Sequence, residues 1–418
     1  MKMKLHILAI LFAVCASAYA QVLPEASGRN GLPLTGNLDY SVRYSETADF
    51  GSALGNWETS NASASVSYAN AKQRLPFSLT YGGGYNWSTG NSAYGSGFFE
   101  NLTLSQGIIG RHWRFLASDN AGYRKQAPTT GFSGQPGTGE PIGVSGSDTP
   151  VTQTILTVNT ATVNNDATGT FARDFGRAAT LSAGGSYMQL IYPDGNGQDT
   201  NGLSGNATYT RRLNARSSVS GEYLYSQFSY PASSLTGSLG SNFTSTTDTA
   251  SISYRRQWNR SFSTNAMIGP QWIGSSDSTT VPSSTSVAVS ASASYQHKFE
   301  SASASYSHGA NGGGGFMLGA ESDTVSLNFS RELGRKTSVG LTCSYLRTGS
   351  LNTSQVIDAE FGAVQVSRPL GRYMSLFANY TAIDQSSNAA LPGNALDDLY
   401  SVIAVGFGYS PRGIHLRH

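Results

Sequence analysis

The amino-acid sequence predicts an all-β protein, a transmembrane antiparallel up-and-down β-barrel of about 16–18 strands preceded by a cleaved signal peptide. Three observations predict this fold: an amino-terminal export signal, a period-two alternation of apolar and polar residues, and tight turns that alternate with long loops. A soluble antiparallel sandwich would also show the alternation, so the export signal and the loop asymmetry decide between the two folds.

The first twenty residues have the composition of a secretory signal peptide. Lys2 and Lys4 supply positive charge, residues 5–14 form an apolar core, and the small-residue cleavage site Ala-Tyr-Ala ends just before Gln21. No later stretch approaches the roughly 18–20 apolar residues that a spanning helix needs. We therefore expect residues 1–20 to be removed, residues 21–36 to form a short extension, and strands to cross the membrane.

The alternation is clearest in a hairpin-length pattern that recurs four times. An arginine is followed by an apolar residue two positions later, then by Ser or Thr with an apolar residue, and finally by a tyrosine. In one copy Val325, Leu327 and Phe329 precede Arg331 at matching parity, and Ser and Asn lie between them. One face of each strand is therefore apolar and the other is polar.

The arginines and tyrosines of this pattern have the parity of the apolar face. An arginine at a strand end can extend its charge to the lipid headgroups, and a tyrosine about six residues along the next strand stands about 15 Å higher. On the strand after Arg331, position 343 is predicted to face lipid, and Thr342 and Ser344 the lumen. The predicted interfacial girdle consists of Arg173, Arg211, Arg331, Arg368, Tyr187, Tyr225, Tyr345 and Tyr380.

The connections between the predicted strands are of two kinds. Tight turns such as Gly110-Arg111, Gly176-Arg177 and Gly334-Arg335 alternate with longer loops rich in Gly, Ser, Asn and Pro, an asymmetry typical of outer-membrane barrels. The strand-like segments fill residues 37–410, which we predict to form the barrel, and residues 411–418 form a carboxy-terminal tail. No break in composition indicates a second folded domain.

Composition excludes several classes of function. Only 12% of the residues are charged, and removal of the two signal-peptide lysines leaves 25 of the 27 Lys and Arg against 25 Asp and Glu. A basic surface for nucleic acid is not indicated. Cleavage would also remove Cys15, so that Cys343 remains as a single cysteine and neither an intramolecular disulfide nor a thiolate metal site is expected.

The sequence also lacks the motifs of an outer-membrane hydrolase. It contains no Gly-x-Ser-x-Gly nucleophile elbow and no His, Asp and Glu cluster at metal-ligand spacing. We therefore expect no enzyme, no catalytic residue, no cofactor and no metal site, and a hydrolase is kept as a remote alternative.

The chain resembles the β-barrel porins associated with exopolysaccharide and PEP-CTERM loci. Arg331, Leu333, Arg335, Ser338 and Tyr345 carry the resemblance best. It implies the outer membrane of a Gram-negative bacterium, contact with outer-membrane lipid, and insertion by the barrel-assembly machinery. It also implies a role in polysaccharide secretion, with periplasmic export components delivering the polymer.

The sequence favours a pore, because a barrel of about 16 to 18 strands encloses a lumen wide enough for water. Its lumen face is predicted to be rich in Ser, Thr, Asn and Gly, with sparse charges at Arg212, Glu222 and Glu332. The long insertion 127–150 is predicted either to fold inward as a constriction, with charges at Glu140 and Asp148, or to be a mobile extracellular tip. The competing class is a closed structural or adhesive barrel whose surface loops bind ligands.

Overall fold

The structure is a computed structural model, and it describes residues 36–51, 55–70, 74–89, 96–125, 161–176, 178–195, 198–232, 242–311, 317–334, 336–388, 398–411 and 414–416. Gly36–His415 form one compact unit. Met1–Thr35 and Leu416–His418 fall in a second unit, of which Leu416 is the described residue. Among the described residues, no helix is long and apolar enough to cross a membrane. The predicted signal peptide and most of the predicted 21–36 extension lie outside the described residues.

Eighteen long strands occupy the described part of the first unit, each between 12 and 16 residues in length. A three-residue strand, β19 (Ile414–Leu416), follows within the predicted tail. The long strands are β1 (Gly36–Gly51), β2 (Gly55–Asn70), β3 (Phe77–Thr89), β4 (Gly97–Ile109), β5 (Trp113–Lys125), β6 (Ala161–Phe175), β7 (Ala179–Ile191), β8 (Thr200–Arg212), β9 (Ser217–Tyr230), β10 (Phe243–Gln257), β11 (Phe262–Ser275), β12 (Ser284–His297), β13 (Glu300–Asn311), β14 (Ala320–Leu333), β15 (Thr337–Ser350), β16 (Val356–Pro369), β17 (Met374–Ser387) and β18 (Asp398–Tyr409).

The strands form a closed antiparallel up-and-down barrel. Each long strand pairs with its neighbours in sequence, and β1 closes the sheet by pairing with β18 from Val42↔Tyr409 to Gly51↔Tyr400. The predicted fold class is confirmed, with eighteen strands at the upper end of the predicted range. Among the described long strands, each is paired on both sides, as a strand-built membrane span requires.

Most of the tight turns lie at one end of the barrel and most of the longer connections at the other. The turns after β6 and β14 each place a glycine in the left-handed region, at Gly176 (φ 69°) and Gly334 (φ 68°). Residues with a side chain rarely adopt this conformation, so these glycines let the chain reverse within a few residues. The connections at the opposite end include 126–160, 231–242 and 312–319.

The two faces of the sheet differ in exposure, and the register shows which residues share a face. Along β14, Val325, Leu327 and Phe329 are 37%, 52% and 39% exposed. Residues paired across an antiparallel ladder point to the same side, so these three share a face with Tyr345, Cys343 and Leu341 of β15, respectively. We call this the outward face. The opposite, inward face carries the buried residues, such as Thr342 and Ala404 at 5% and 0%.

Strand β18, which closes the barrel by pairing with β1, is packed closely on its inward face. We call this region, where β17, β18 and β1 meet, the seam. Gly406 of β18 pairs with Phe377 of β17 on one side and with Ser45 of β1 on the other. The Phe377 ring, which is 3% exposed, lies over Gly406 where a larger residue would project. An aromatic ring thus covers a glycine at the strand that closes the barrel.

Candidate functional site

The inward face carries rows of hydroxyl groups that hydrogen-bond between neighbouring strands. Serines paired in the register approach each other through their Oγ atoms at 2.6–2.7 Å. Each hydroxyl has one donor and two acceptor positions, so a paired serine keeps capacity for water or a solute in the lumen. The pairs are Ser41–Ser65, Ser186–Ser204, Ser263–Ser294, Ser301–Ser330, Ser305–Ser326 and Ser338–Ser367.

A cavity of about 380 Å³ lies against β10 to β14, toward the end of the barrel with the tight turns. Most of the side chains around it are hydroxyls and amides, and its cations are Arg255 and Arg260. The uncharged polar side chains that line it are Gln257, Ser261, Ser263, Ser294, Gln296, Ser301, Ser303, Asn328 and Ser330. Such a wall can hydrogen-bond a neutral polar solute without holding it by charge.

The three predicted lumen charges lie on separate strands. The register places Arg212 opposite Ser218, Glu222 opposite Thr208, and Glu332 opposite Ser338. All three therefore have the parity of the hydroxyl pairs, and the structure does not bring them together. That they influence permeating ions stays a prediction.

The inward face is less uniformly polar than the sequence predicts. Part of the wall formed by β16 to β18 is apolar and almost fully buried, including Ile357, Phe361, Ile383, Tyr400 and Val402 at 1–4% exposure. The register groups these positions, since Phe361 pairs with Ile383 and Ile383 with Tyr400. The sequence pattern does not reveal these residues, because β16 to β18 carry apolar residues on both faces and so lack a clear apolar–polar alternation.

A second apolar cluster lies at the end of the barrel with the long loops. Tyr230 and Phe243, on the inward faces of β9 and β10, pack with Val281 from the β11–β12 loop and Leu318 from the β13–β14 loop. Tyr230 is completely buried. Residues from two loops therefore cover the inner wall at this end.

The β11–β12 loop is held in a compact turn by Asp277. The hydroxyls of Thr279 and Thr280 each donate to its carboxylate at 2.6 Å, and the Thr279 N–H donates at 3.0 Å. These hydrogen bonds, of which those from the two hydroxyls are strongest, lower the pKa of Asp277 to about 2. Ser275 Oγ donates to the Val281 carbonyl at 2.6 Å and secures the far end of the turn.

The predicted girdle residues lie on the outward face, and some of them contact polar or aromatic neighbours there. Tyr345 donates to Asp358 at 2.6 Å, and the Arg173 guanidinium lies 5.3 Å from the centre of the Phe175 ring. Arg331 and Arg368 pair with Val339 and Leu376, whereas Arg211 pairs with Ala179 and Val219. Tyr187 and Tyr380 are 41% and 47% exposed, and Tyr225 donates to Gln227 at 3.1 Å. Contact of these residues with lipid headgroups stays a prediction.

Tyrosine–carboxylate hydrogen bonds form a feature that the sequence analysis missed. Tyr306 donates to Asp323 at 2.8 Å, and Tyr223 donates to Asp248. These carboxylates lie near the strand ends that lead to the long loops. Each tyrosine is therefore hydrogen-bonded to the loop-side part of the adjacent strand. Only the register could have revealed the partners, since they are 17 and 25 residues apart in the chain.

Two carboxylates lie against the His308 imidazole. Its Nε2 lies 3.1 Å from Glu321 and its Nδ1 lies 3.0 Å from Asp323. Within the described ranges, no group of three or more His, Cys, Asp and Glu has the arrangement of a metal site. Glu140 and Asp148, the predicted constriction charges, lie outside the described residues.

Comparison with solved structures finds similarity to Pseudomonas aeruginosa OccK2 (OpdF), with 12% sequence identity, a TM-score of 0.46, and coverage of 91% of this chain and 99% of that chain. Pseudomonas aeruginosa OccK9 (OpdG) gives 12% identity, a TM-score of 0.46, and coverage of 92% and 100%. The siderophore receptor PirA from Acinetobacter baumannii gives 8% identity, a TM-score of 0.46, and coverage of 91% and 81%. No protein-family model matches the chain, and no curated protein matches it.

Proposed function

We propose that this protein is an outer-membrane β-barrel pore for polar solutes of low charge, acting by passive diffusion or coupled to export. The observation that carries the proposal is the hydroxyl- and amide-rich inward face of a closed eighteen-stranded barrel. Barrels of this size enclose a lumen wide enough for water. A wall with few charges predicts weak selectivity between anions and cations.

The proposed location rests on the two faces of the sheet. The outward face exposes large apolar side chains such as Ile252, Ile268 and Leu327, which are 52–65% exposed. So much apolar surface around a barrel is unfavourable in water and suits a lipid environment. Recovery in the outer-membrane fraction, with heat-modifiable migration on gels, is the expected result, and recovery of the folded protein from the soluble periplasm would contradict it.

Exopolysaccharide secretion is the finer proposal. It rests on the sequence resemblance described above and on the chemistry of the wall, because hydroxyls and amides exchange hydrogen bonds with sugar hydroxyls. The partners would be the outer-membrane lipid, the barrel-assembly machinery, and periplasmic components that deliver the polymer. A neutral oligosaccharide added to one side of a bilayer should then reduce the current, and an unchanged current would count against a carbohydrate substrate.

Single-channel recording of the purified, refolded protein tests the pore directly. Ser303 is exposed on the inward face and lines the 380 Å³ cavity, so Ser303→Lys and Ser303→Glu should shift the reversal potential in opposite directions. Ser303→Gln is the matched control, because it adds comparable bulk without charge. Identical reversal potentials in all three variants would contradict the placement of this wall in the ion path.

A closed structural or adhesive barrel is the second candidate. It is favoured by the buried apolar residues of β16 to β18 and by the Tyr230 cluster, since both place apolar side chains inside the barrel. A folded protein that inserts into bilayers and carries no current would support this second function over the pore.

A further inference from the structure

The upper end of the β13–β14 hairpin, nearest the long loops, leaves the wall of the barrel. Pairing between β12 and β13 stops at Val289↔His308. Pairing of β12 with β11 continues to Ser284, and pairing of β13 with β14 continues to Asn311↔Ala320. The last residues of the hairpin are therefore paired with each other but not with β12. We call residues 309–311 and 317–322 the hairpin tip.

A hydrogen bond between residues of opposite faces shows that the tip is bent toward the inside of the barrel. Ser286 points inward, because it alternates with the exposed outward residue Val287 and pairs with buried Gln271. Glu321 has outward parity, since it alternates with buried Ala320 and Ser322. Nevertheless Ser286 Oγ donates to Glu321 Oε1. An outward side chain of β14 can meet an inward side chain of β12 when the tip lies inside the β12 wall.

A second contact crosses β12 entirely. The Ala310 N–H donates to Gln271 Oε1 at 2.9 Å, although Gln271 belongs to β11 and Ala310 to β13. Strands separated by one other strand lie about 9.6 Å apart in a regular sheet, so β13 must have folded toward β11 across the inner surface. Gln271 is 5% exposed, which shows that the tip covers this part of the wall.

The tip reaches still further around the barrel, to β9 and β10. The Gly319 N–H bonds to the Tyr230 hydroxyl, and Leu318 packs in the cluster with Tyr230, Phe243 and Val281. Gly319 has φ of 88°, a left-handed conformation that favours glycine, and its carbonyl accepts from the Leu351 N–H at 3.2 Å. The tip is therefore anchored on both sides, to the inner wall of β9–β11 and to the end of β15.

We propose that the hairpin tip is a built-in constriction at the loop end of the barrel and determines the size of solute that passes, an inference that rests on the proposed pore. The tip forms a second layer of backbone inside the wall, about 10 Å deep by the usual spacing of packed sheets. The opening of an eighteen-stranded barrel, once side chains are subtracted, is about 26 Å across by strand spacing and tilt. The layer would then cover about a third of the opening.

Point variants that release the tip test the inference by single-channel recording. Gln271→Ala removes the acceptor for the Ala310 N–H, and Leu318→Ser disrupts the apolar cluster. Each should raise conductance toward about 1.5-fold, the ratio of the full to the narrowed opening, and should admit larger neutral polymers. Leu318→Met keeps apolar bulk, so this matched control for Leu318→Ser should conduct as the wild type does. Heat-modifiable migration identifies the folded variants. If one variant fails to fold, the other still tests the inference, because it releases the tip at a different site.

The outcomes separate this inference from the proposed function. If the wild type conducts and the folded released variants conduct equally, the tip is not the constriction, and the pore stands. If the wild type is closed but a released variant conducts, the tip closes the barrel, and passive diffusion is wrong. If neither conducts, both proposals are overturned.

Discussion

Replacing Gly406 with alanine tests the place where the barrel closes. Gly406 lies between Phe377 of β17 and Ser45 of β1, on the long strand that closes the described barrel by pairing with β1. A Cβ at this position would lie 2.8 Å from Ser45 Cβ, and it would also overlap the Phe377 ring and the Tyr44 carbonyl oxygen. The ring can rotate away in part, whereas the carbonyl belongs to the ladder and cannot.

The expected cost follows from overpacking at a site where the backbone must move. Such substitutions lower the free energy of unfolding by about 1–3 kcal/mol, and the fixed carbonyl places Gly406→Ala toward the upper part of that range. Gly362→Ala is the matched control, because its Cβ would meet nothing within 4 Å and Gly362 lies on the outward face of β16. We expect it to change stability by less than about 0.5 kcal/mol.

Urea titration of the refolded protein in lipid, with the folded fraction followed by heat-modifiable gel migration, measures both variants. Combining Gly406→Ala with Phe377→Leu should recover part of the loss, because one of the overlaps is relieved and neighbouring substitutions couple. Equal stability of Gly406→Ala and Gly362→Ala would refute the close packing at the seam and, with it, the closure between β1 and β18.

Three further outcomes are expected. With Cys343 replaced by alanine, a cysteine at Ser305 should react with a water-soluble thiol reagent in intact membranes, and one at Ala304 should not, because the two residues face opposite sides of β13; equal reaction would contradict the assignment of faces. The carboxyl of Asp277 should titrate near pH 2 by NMR, so its contribution to stability is present above its usual pKa of 3.8 and is lost as the pH falls through about 2; an ordinary pKa would show that the turn does not hold in solution. Shortening residues 128–149 should raise conductance if that insertion narrows the lumen, and unchanged conductance in a folded deletion would place it outside the ion path.

Much of the fold could be predicted from local sequence because a β-barrel repeats one local rule. Alternation with period two identifies two faces wherever a strand is half apolar, as from Val325 to Arg331, and tight turns such as Gly334-Arg335 mark where one strand ends. These signals need no knowledge of distant residues. They predicted the barrel, a strand number of about 16–18 that includes the eighteen long strands of the structure, and the parity of the Arg and Tyr positions.

The candidate site depended on information that alternation does not contain. The pairing of Ser263 with Ser294 follows from the register, and a shift of one residue would have exchanged the faces. The apolar stripe through Phe361 and Tyr400 was missed because strands that are apolar on both faces lose their period-two signal.

Local sequence was enough for the strand-like segments and their two alternating faces, because both are set by residues a few positions apart, and it limited the strand number to about 16–18. The tertiary structure alone decided how the interior is filled. The Gln271–Ala310 contact joins residues 39 positions apart. The Tyr230–Leu318 cluster joins β9 to the β13–β14 loop, with the four strands β10 to β13 between them. Such contacts depend on the closed barrel, since closure brings the inner surfaces of distant strands within reach of one another.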